Sequence, residues 1–328
     1  MKALVYTGTE EVEIREADLP VAEPGQAVVD VAVCGICGSD MHAYHGHDPR
    51  RRPPLVLGHE AAGTVREGPL AGRRVAINPL MTCGKCPACL GGREHLCPYR
   101  ELIGMRVPGA FAERVAINAS NLTVLDDGLS FEAAALAEPL ACAVHTVRLG
   151  LEREGQGAGA LSTIVLGGGA IGLLCALVLR AGGADRVAVA EANPLRRDSL
   201  AALDGLAPYD PIAGEPDAAS ADCVIDAVGS GRTRAAAARL VRPGGTIVHI
   251  GLQDEAPGLD TRRITLQEIA FIGSYCYTRA DFAEALRLLG DGLVEGTGWT
   301  EERGLDDGAA AFRSIHDGTA PPKILLTL

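Results

Sequence analysis

The chain has 328 residues, 47% of them hydrophobic and 4% aromatic, and its formal net charge is −12. This length predicts two domains, each with enough apolar residues for a core. The acidic balance argues against a nucleic acid or an anionic membrane as partner, because both are bound through basic patches. No signal peptide is recognisable at the start, so we expect a cytoplasmic protein whose ten cysteines stay reduced.

Short β-type runs separated by Gly and Pro fill the first part of the chain, at residues 27–33, 73–77 and 111–117. Such runs predict an irregular all-β barrel. The character changes after Ser130, a residue type that caps helices. The Ala-rich stretch 131–147 that follows it predicts one helix.

Strands and helices alternate from residue 163 onward. The pattern predicts strands at 163–166, 186–190, 222–226, 246–250 and 269–272, and helices at 171–181 and 196–203. This alternation is typical of a parallel sheet with helices on both faces. The uncharged stretch 161–179 could span a membrane by length, but three glycines in its middle favour a buried strand and helix. A helix at 279–289 and a strand at 323–328 are predicted near the end.

Four cysteines share one short loop with the spacing C-x2-C-x2-C-x7-C. Four thiolates at this spacing predict a tetrahedral zinc site without an open position, which is typical of structural zinc. Such a site would fold a loop that has too little apolar content to fold alone. An iron–sulfur cluster is the alternative, although the bacterial ferredoxin pattern has three residues before its last cysteine. The predicted ligands are Cys83, Cys86, Cys89 and Cys97.

A thiolate, an imidazole and a carboxylate occur in two motifs of the same β-rich part. These motifs are Cys37-Gly-Ser-Asp-Met-His42 and Gly58-His59-Glu60. Three mixed ligands of this kind hold catalytic zinc and leave a position for water or substrate. A lone buried histidine is more often an ordinary core residue, but the combination beside a four-cysteine loop favours a metal site.

A Gly-x-Gly-x-x-Gly motif lies between the first predicted strand and helix of the alternating part. In such a motif Gly167 permits the tight turn, Gly169 lets a pyrophosphate approach the backbone, and Gly172 allows close packing of helix on strand. Glu191 follows the next predicted strand, where an acidic residue binds the ribose 2′-hydroxyl and repels a 2′-phosphate. NAD is therefore favoured over NADP, although nearby arginines could accommodate a phosphate.

Together with Glu138-Pro139, these motifs resemble the zinc-containing medium-chain dehydrogenase/reductase family, and most closely its sorbitol (polyol) dehydrogenase branch. The resemblance extends over essentially the whole chain. It implies an α/β protein with a GroES-like β-barrel catalytic domain at residues 1–140 and 277–328, including a zinc lobe at 80–100. A Rossmann coenzyme domain with a doubly wound parallel sheet is implied at 141–276. Members of the family usually have a helix where this chain has residues 204–217, so we expect the sheet to lack one covering element.

The resemblance also implies the role of each site residue. Cys37, His59 and Glu60 would bind the catalytic zinc, and Glu138 would be a further ligand or would hold the zinc-bound water. Ser39 would lie beside the zinc-bound oxygen, His42 would relay the proton to solvent, and Asp40 would orient His59 or merely form a turn. The implied coenzyme contacts are Gly167, Gly169, Ala170, Ile171, Gly172, Glu191, Arg196, Gly229 and Gly251.

The expected function is zinc-dependent hydride transfer from a secondary alcohol, of a polyol or sugar-derived substrate, to NAD, with two zinc ions per chain. An L-threonine 3-dehydrogenase-like enzyme and a non-enzymatic dinucleotide-binding protein are the alternatives. The family implies a homodimer or homotetramer, with residues 269–274 as a plausible interface. Residues 50–52, all arginine, could contact a carboxylate or phosphate of the substrate, but a solvated loop is the simpler interpretation.

Overall fold

The computed structural model describes residues 1–328. The strands are β1 (Lys2–Gly8), β2 (Glu11–Glu16), β3 (Gln26–Gly35), β4 (Leu55–Val56), β5 (Glu60–Glu67), β6 (Arg74–Ile77), β7 (Leu80–Met81), β8 (Glu101–Leu102), β9 (Arg114–Asn118), β10 (Leu122–Val124), β11 (Thr163–Leu166), β12 (Val187–Ala190), β13 (Leu206–Tyr209), β14 (Ala221–Asp226), β15 (Val241–His249), β16 (Ala270–Gly273), β17 (Thr300–Gly304) and β18 (Lys323–Thr327). The helices are α1 (Gly38–Tyr44), α2 (Pro87–Leu90), α3 (Phe131–Ala135), α4 (Ala137–Glu154), α5 (Ala170–Ala181), α6 (Pro194–Ala201), α7 (Gly231–Leu240), α8 (Thr261–Leu266), α9 (Arg279–Gly290) and α10 (Gly308–His316).

The chain forms two units, Met1–Pro139 with Thr278–Leu328, and Leu140–Tyr277. In the first unit, a seven-stranded sheet has the order β10-β6-β5-β3-β18-β17, with β9 also pairing with β3. Strand β18 lies antiparallel to β3, with Leu326 opposite Cys34, so the end of the chain joins the sheet built by its beginning. Phe111 and Phe312 are fully buried in the core of this unit, with ring centroids 6.0 Å apart.

The second unit is a six-stranded sheet in the order β13-β12-β11-β14-β15-β16. Every neighbouring pair is parallel, for example β11 with β14, where Val165 lies opposite Ile225. The strand order reverses direction at β11 and β14, and ligands of such sheets bind at the carboxyl ends of the strands at this point. The α/β fold with a β-rich unit and a doubly wound parallel sheet is therefore confirmed.

The single helix expected at residues 131–147 is wrong, because the structure divides it into α3 and α4 at Leu136 and continues α4 to Glu154. Pro139 explains the break. A proline ring clashes with the carbonyl group four residues earlier, which here belongs to Ala135, but proline is tolerated in the first turn of a new helix.

A strand was also missed. Residues 206–209 form β13, which pairs in parallel with β12 and places Ala207 opposite Ala188. This strand contains Pro208, which is tolerated because β13 lies at the edge of the sheet. No helix lies between β13 and β14. None of the ten helices combines the length and apolar character needed to cross a bilayer.

Candidate metal centres and coenzyme-binding edge

The four cysteines of the loop converge on one point. The Sγ–Sγ distances are 3.5 Å for Cys86 and Cys89, 3.6 Å for Cys83 and Cys97, and 4.0 Å for Cys83 and Cys89. Four ligands at a Zn–S bond length of about 2.3 Å lie about 3.8 Å apart in a tetrahedron. The observed Sγ–Sγ distances are close to this value and much longer than a disulfide bond of about 2.05 Å. The donor set therefore fits one zinc ion with no open position.

The backbone of this loop favours the ionised form of one thiol, that of Cys83, whereas burial raises the pKa of the Cys89 thiol to about 11. Cys86 caps the short helix α2, and Gly84, with φ of 70°, lets the chain turn between Cys83 and Cys86. Backbone N–H groups of Lys85 and Cys86 are directed at the Cys83 thiol and lower its pKa to about 6. In an iron–sulfur cluster the thiolates bind different irons and stand farther apart, so the observed distances favour zinc over that alternative.

The second candidate centre consists of Cys37, His59 and Glu60, whose ligand atoms all lie within 4.8 Å of one another. Cys37 caps the N-terminus of α1, and Glu60 begins β5. Gly58 directly precedes His59 and has a φ of 90°. It packs on the Phe111 ring, and a Cβ atom on Gly58 would lie only 2.5 Å from a carbon of that ring. This turn directs His59 and Glu60 towards Cys37.

Glu138 lies on the first turn of α4 and is buried, but its carboxylate is not part of the three-ligand group. It is close enough to raise the pKa of Lys323, whose ammonium group contacts Glu60. Glu138 therefore borders the second centre, and the structure does not bring its oxygens among the ligand atoms.

Asp40 shapes the turn before α1. One carboxylate oxygen accepts a hydrogen bond from the Cys37 backbone N–H at 3.0 Å and completes the cap of α1. The other lies 3.5 Å from Nδ1 of His59, and neither of these two buried atoms has a hydrogen-bond partner. Burial alone would lower the pKa of His59, but the negative charges of Asp40 and Cys37 raise it well above its usual value. Asp40 therefore faces the imidazole as a charge, and its expected role in orienting His59 stays a prediction.

Lys323 was missed in the sequence. Its ammonium group donates to both carboxylate oxygens of Glu60, at 2.8 and 2.7 Å, and to the Ile36 carbonyl at 2.9 Å. The Lys323 side chain is 2% exposed and the Glu60 side chain 0%. The two residues are 263 positions apart and meet because β18 pairs with β3. No local pattern could have indicated this contact.

Ser39 and Arg51 form a second buried contact beside the centre. The Arg51 guanidinium donates to Oγ of Ser39 at 3.1 Å, to Asp48 at 2.7 Å and to the Gly104 carbonyl at 2.9 Å. The Arg51 side chain has no exposed surface, so a solvated loop is wrong for this residue. His42 is partly exposed on α1, and burial and the neighbouring His47 lower its pKa.

In the other unit, the glycine motif forms the turn between β11 and α5. Gly167 has φ of 98°, and a Cβ atom on Gly172 would lie 1.8 Å from the Gly167 carbonyl oxygen. Gly169 caps α5, and the nearest atom to a Cβ placed there is Nη1 of Arg196, at 4.0 Å. The first residues of α5, Ala170 and Ile171, therefore present backbone N–H groups to open space, which suits a pyrophosphate.

Glu191 is tied to this turn. Its carboxylate accepts hydrogen bonds from the Gly168 N–H at 2.8 Å and from the Asn193 N–H at 2.7 Å. Arg196 has a buried Nε atom without a hydrogen-bond partner, whereas Arg197 donates to the Glu191 carbonyl. The open turn and the unpaired donor of Arg196 fit a dinucleotide. Asn193 also caps α6, a role that its position before Pro194 could have indicated.

Gly229 and Gly251 lie in loops that follow β14 and β15. Gly229 has φ of 75°, and a Cβ on it would lie 2.0 Å from the Gly251 carbonyl oxygen. Both loops therefore need glycine to pack this closely. Asp226 fixes the first loop by accepting from the Gly229 N–H at 2.9 Å, and its other oxygen lies 3.0 Å from Nδ1 of His249. The Asp226–His249 contact was missed in the sequence.

Comparisons with known proteins agree with this geometry. Residues 23–127 match the family model "Alcohol dehydrogenase GroES-like domain", and residues 170–291 match "Zinc-binding dehydrogenase". The chain is 32% identical over 308 residues to L-galactonate-5-dehydrogenase of Escherichia coli (strain K12), covering 90% of this chain and 88% of that protein. It is 31% identical over 348 residues to sorbitol dehydrogenase of Halalkalibacterium halodurans, covering 100% and 99%.

A solved structure is also similar. A zinc-binding dehydrogenase from Sinorhizobium meliloti 1021 bound to NADP has a TM-score of 0.87 and 30% identity, and the match covers 100% of this chain and 99% of that one. The chain belongs to the zinc-binding alcohol dehydrogenase family, which confirms the resemblance seen in the sequence. It is a zinc-dependent oxidoreductase that acts on an alcohol group with a nicotinamide dinucleotide.

Proposed function

We propose that this enzyme oxidises a secondary alcohol of a polyol or a sugar-derived substrate, with NAD as the hydride acceptor. The observation that carries the proposal is the three-ligand group of Cys37, His59 and Glu60, which leaves a coordination position for a substrate oxygen. Zinc held there would supply the positive charge that lowers the pKa of a bound alcohol. Cys83, Cys86, Cys89 and Cys97 would hold a second, structural zinc.

Residues around the second centre would carry the alcohol proton to solvent. The Ser39 hydroxyl oxygen is fixed by the Arg51 guanidinium, so its position does not depend on the substrate. We assign Ser39 as a proton relay, whose hydroxyl oxygen accepts the alcohol proton while its own hydroxyl proton is passed on. His42, three residues later on the same face of α1, would accept that proton on a ring nitrogen and pass it outward. Asp40 keeps His59 oriented, and Glu138 would bind or polarise a water molecule at the open position.

We assign the coenzyme to the turn at Gly167, Gly169 and Gly172, with Glu191 at the adenine ribose. Glu191 supports NAD, because its carboxylate would repel a 2′-phosphate. Two backbone N–H groups already donate hydrogen bonds to the Glu191 carboxylate, so the carboxylate is in position before the coenzyme binds. The related structure from S. meliloti is bound to NADP. The test is kcat/KM with both coenzymes, and a clear preference for NADP would remove Glu191 as the determinant.

The proposed function is tested by following NAD reduction over a panel of neutral polyols, sugar acids, sugar phosphates and L-threonine. We expect turnover of at least one polyol or sugar derivative by the zinc-loaded enzyme. Cys37→Ser should abolish that turnover while NADH still binds, as measured by fluorescence. Cys34→Ser is the matched control, since Cys34 lies near the centre but outside the ligand group. Turnover that survives Cys37→Ser would contradict the metal role.

We also propose that the enzyme is a cytoplasmic homodimer or homotetramer. Strand β16 supports the assembly, because it is one of the two edges of the six-stranded sheet and its Phe271 side chain is partly exposed. A second copy could continue the sheet across this edge. Light scattering gives the mass in solution, and Ile272→Pro should reduce it to that of a monomer. Thiolates that bind zinc need a reducing compartment, which supports the cytoplasm, and cell fractionation tests this location.

A further inference from the structure

The arginine run at residues 50–52 is divided by the fold. Arg51 points into the protein, whereas Arg50 and Arg52 are exposed and line a hollow of about 570 Å³. Arg106 lines the same hollow from the other side, with apolar surface from Pro54 and Met105 between them. Three guanidinium groups thus face one concavity in a protein whose net charge is −12.

Arg51 fixes the two walls of this hollow relative to each other. One wall is the segment 49–55, and the other is formed by residues 105 and 106. The Arg51 guanidinium belongs to the first wall and donates to the Gly104 carbonyl, directly before the second wall, at 2.9 Å. Because this guanidinium is fully buried, the spacing of the two backbone segments that carry Arg52 and Arg106 is set before any ligand arrives.

The charges around the hollow do not cancel. Asp48 forms ion pairs with both Arg50 and Arg51. Arg106 forms an ion pair with Glu101 at 3.3 Å. Arg52 has no acidic partner. Four guanidinium groups therefore meet two carboxylates, which leaves an excess of two positive charges. Planar guanidinium groups with free N–H donors bind carboxylate and phosphate oxygens in a bidentate manner.

The buried Arg51 side chain contacts both a wall of the hollow and the proposed reaction site. The same Arg51 guanidinium that holds Gly104 also donates to Oγ of Ser39, whose backbone N–H lies 3.4 Å from the Cys37 sulfur. We propose that the hollow between Arg52 and Arg106 is a subsite for the anionic end of the substrate. The enzyme then acts on a polyol chain that ends in a carboxylate or a phosphate. This inference rests on the proposed function. Arg51 is the positioning residue of that subsite.

The test compares ligands that share a six-carbon chain and differ in the end group. Binding of a set of hexonates, hexitol phosphates and neutral hexitols to the zinc-loaded enzyme is measured by isothermal titration calorimetry, which does not depend on turnover. We expect at least one anionic ligand to bind more tightly than its neutral counterpart. Arg52→Gln and Arg106→Gln should each weaken that ligand by about 10- to 100-fold, as expected for loss of a charged hydrogen bond, and leave neutral hexitols unchanged.

Arg66→Gln is the matched control, because Arg66 is an exposed arginine of β5 that pairs with Asp30 and does not line the hollow. The carboxylate and phosphate ligands show which anion is preferred. The proposal is overturned if no anionic ligand binds more tightly than its neutral counterpart, or if Arg52→Gln and Arg106→Gln retain the preference. Anion binding that depends on these arginines without turnover of any alcohol would instead contradict the proposed function alone.

Discussion

The buried pair of Lys323 and Glu60 allows a sharp prediction about the metal centre. Lys323→Met keeps the length of the side chain but removes the ammonium group, which donates to both Glu60 oxygens at 2.7 and 2.8 Å. Glu60, with 0% of its side chain exposed, would then be a buried carboxylate without a counter-charge. Breaking a buried pair in this way costs about 3–5 kcal/mol. For a unit of this size, the metal-free protein should lose roughly 6–20 °C in Tm.

Zinc should reverse much of this loss if Glu60 is one of its ligands. The cation would supply the counter-charge that Lys323 no longer provides, so the zinc-loaded variant should be closer in stability to the wild type. By linkage, the variant should also bind zinc more tightly, by tenfold for each 1.4 kcal/mol recovered, or about 10- to 1000-fold in total. An increase in metal affinity on removal of a neighbouring residue is not expected from general damage to the fold.

The assay is thermal unfolding of chelator-treated and zinc-loaded protein, together with zinc competition against a chromophoric chelator. Glu60→Gln, alone and combined with Lys323→Met, completes a double-mutant cycle that leaves the cysteine loop unchanged. The double variant should recover part of the stability lost by Lys323→Met, because neither charge remains. The reasoning is refuted if metal-free Lys323→Met unfolds at the wild-type temperature, or if it binds zinc more weakly than the wild type.

Three further predictions concern the cysteine loop, the coenzyme turn and acid stability. Cys97→Ser should reduce the zinc content from about two ions per chain to about one, measured by elemental analysis, because it breaks the four-thiolate site; unchanged content would contradict it. Glu191→Ala should lower kcat/KM for NAD by about tenfold or more, since it frees the Gly168 N–H as well as the ribose contact, whereas Asp198→Ala on α6 should not. Burial would raise the pKa of Asp48, but hydrogen bonds from Arg50 lower it from 3.8 to about 2. Because the folded-state pKa is depressed, the interaction stabilises the protein by about 1–2 kcal/mol, a range already reduced for the exposed Arg50. This stabilisation is complete above about pH 5, declines as the pH falls through 3.8, and is lost below about pH 2. Denaturant titrations at pH 2.5 and pH 5 measure the free energy of unfolding. The difference between these two values should be smaller for Asp48→Asn than for the wild type.

Features set by neighbouring residues could be predicted from the sequence. The turn at Gly167 and Gly172 follows from sterics within six residues, because a Cβ on Gly172 would lie 1.8 Å from the Gly167 oxygen. The cysteine loop is equally local, since its four thiols approach one another within one turn and one short helix. In both cases the positions of the residues along the chain determine which of their atoms come close together.

Features set by tertiary packing could not be predicted. The break between α3 and α4 was missed because the Ala-rich sequence favours a helix across Pro139. The edge strand β13 was missed because its residues show no strand pattern of their own, and it forms by pairing with β12. Lys323 gave no local signal, because its partner Glu60 is reached only through the pairing of β18 with β3. The sequence could show that residues 50–52 are arginines, but not that the middle one would be buried.

The buried contacts that the sequence missed explain the charge balance of the metal centre. Four carboxylates are buried in and around it, those of Asp40, Asp48, Glu60 and Glu138. Three cations pair with them, Arg50 and Arg51 with Asp48, and Lys323 with Glu60. One negative charge remains, and a metal-binding Cys37 thiolate beside a neutral His59 would make it two. Burying an uncompensated charge is costly. With the ligands in the protonation states that bind a metal, the charges of this centre therefore favour a divalent cation.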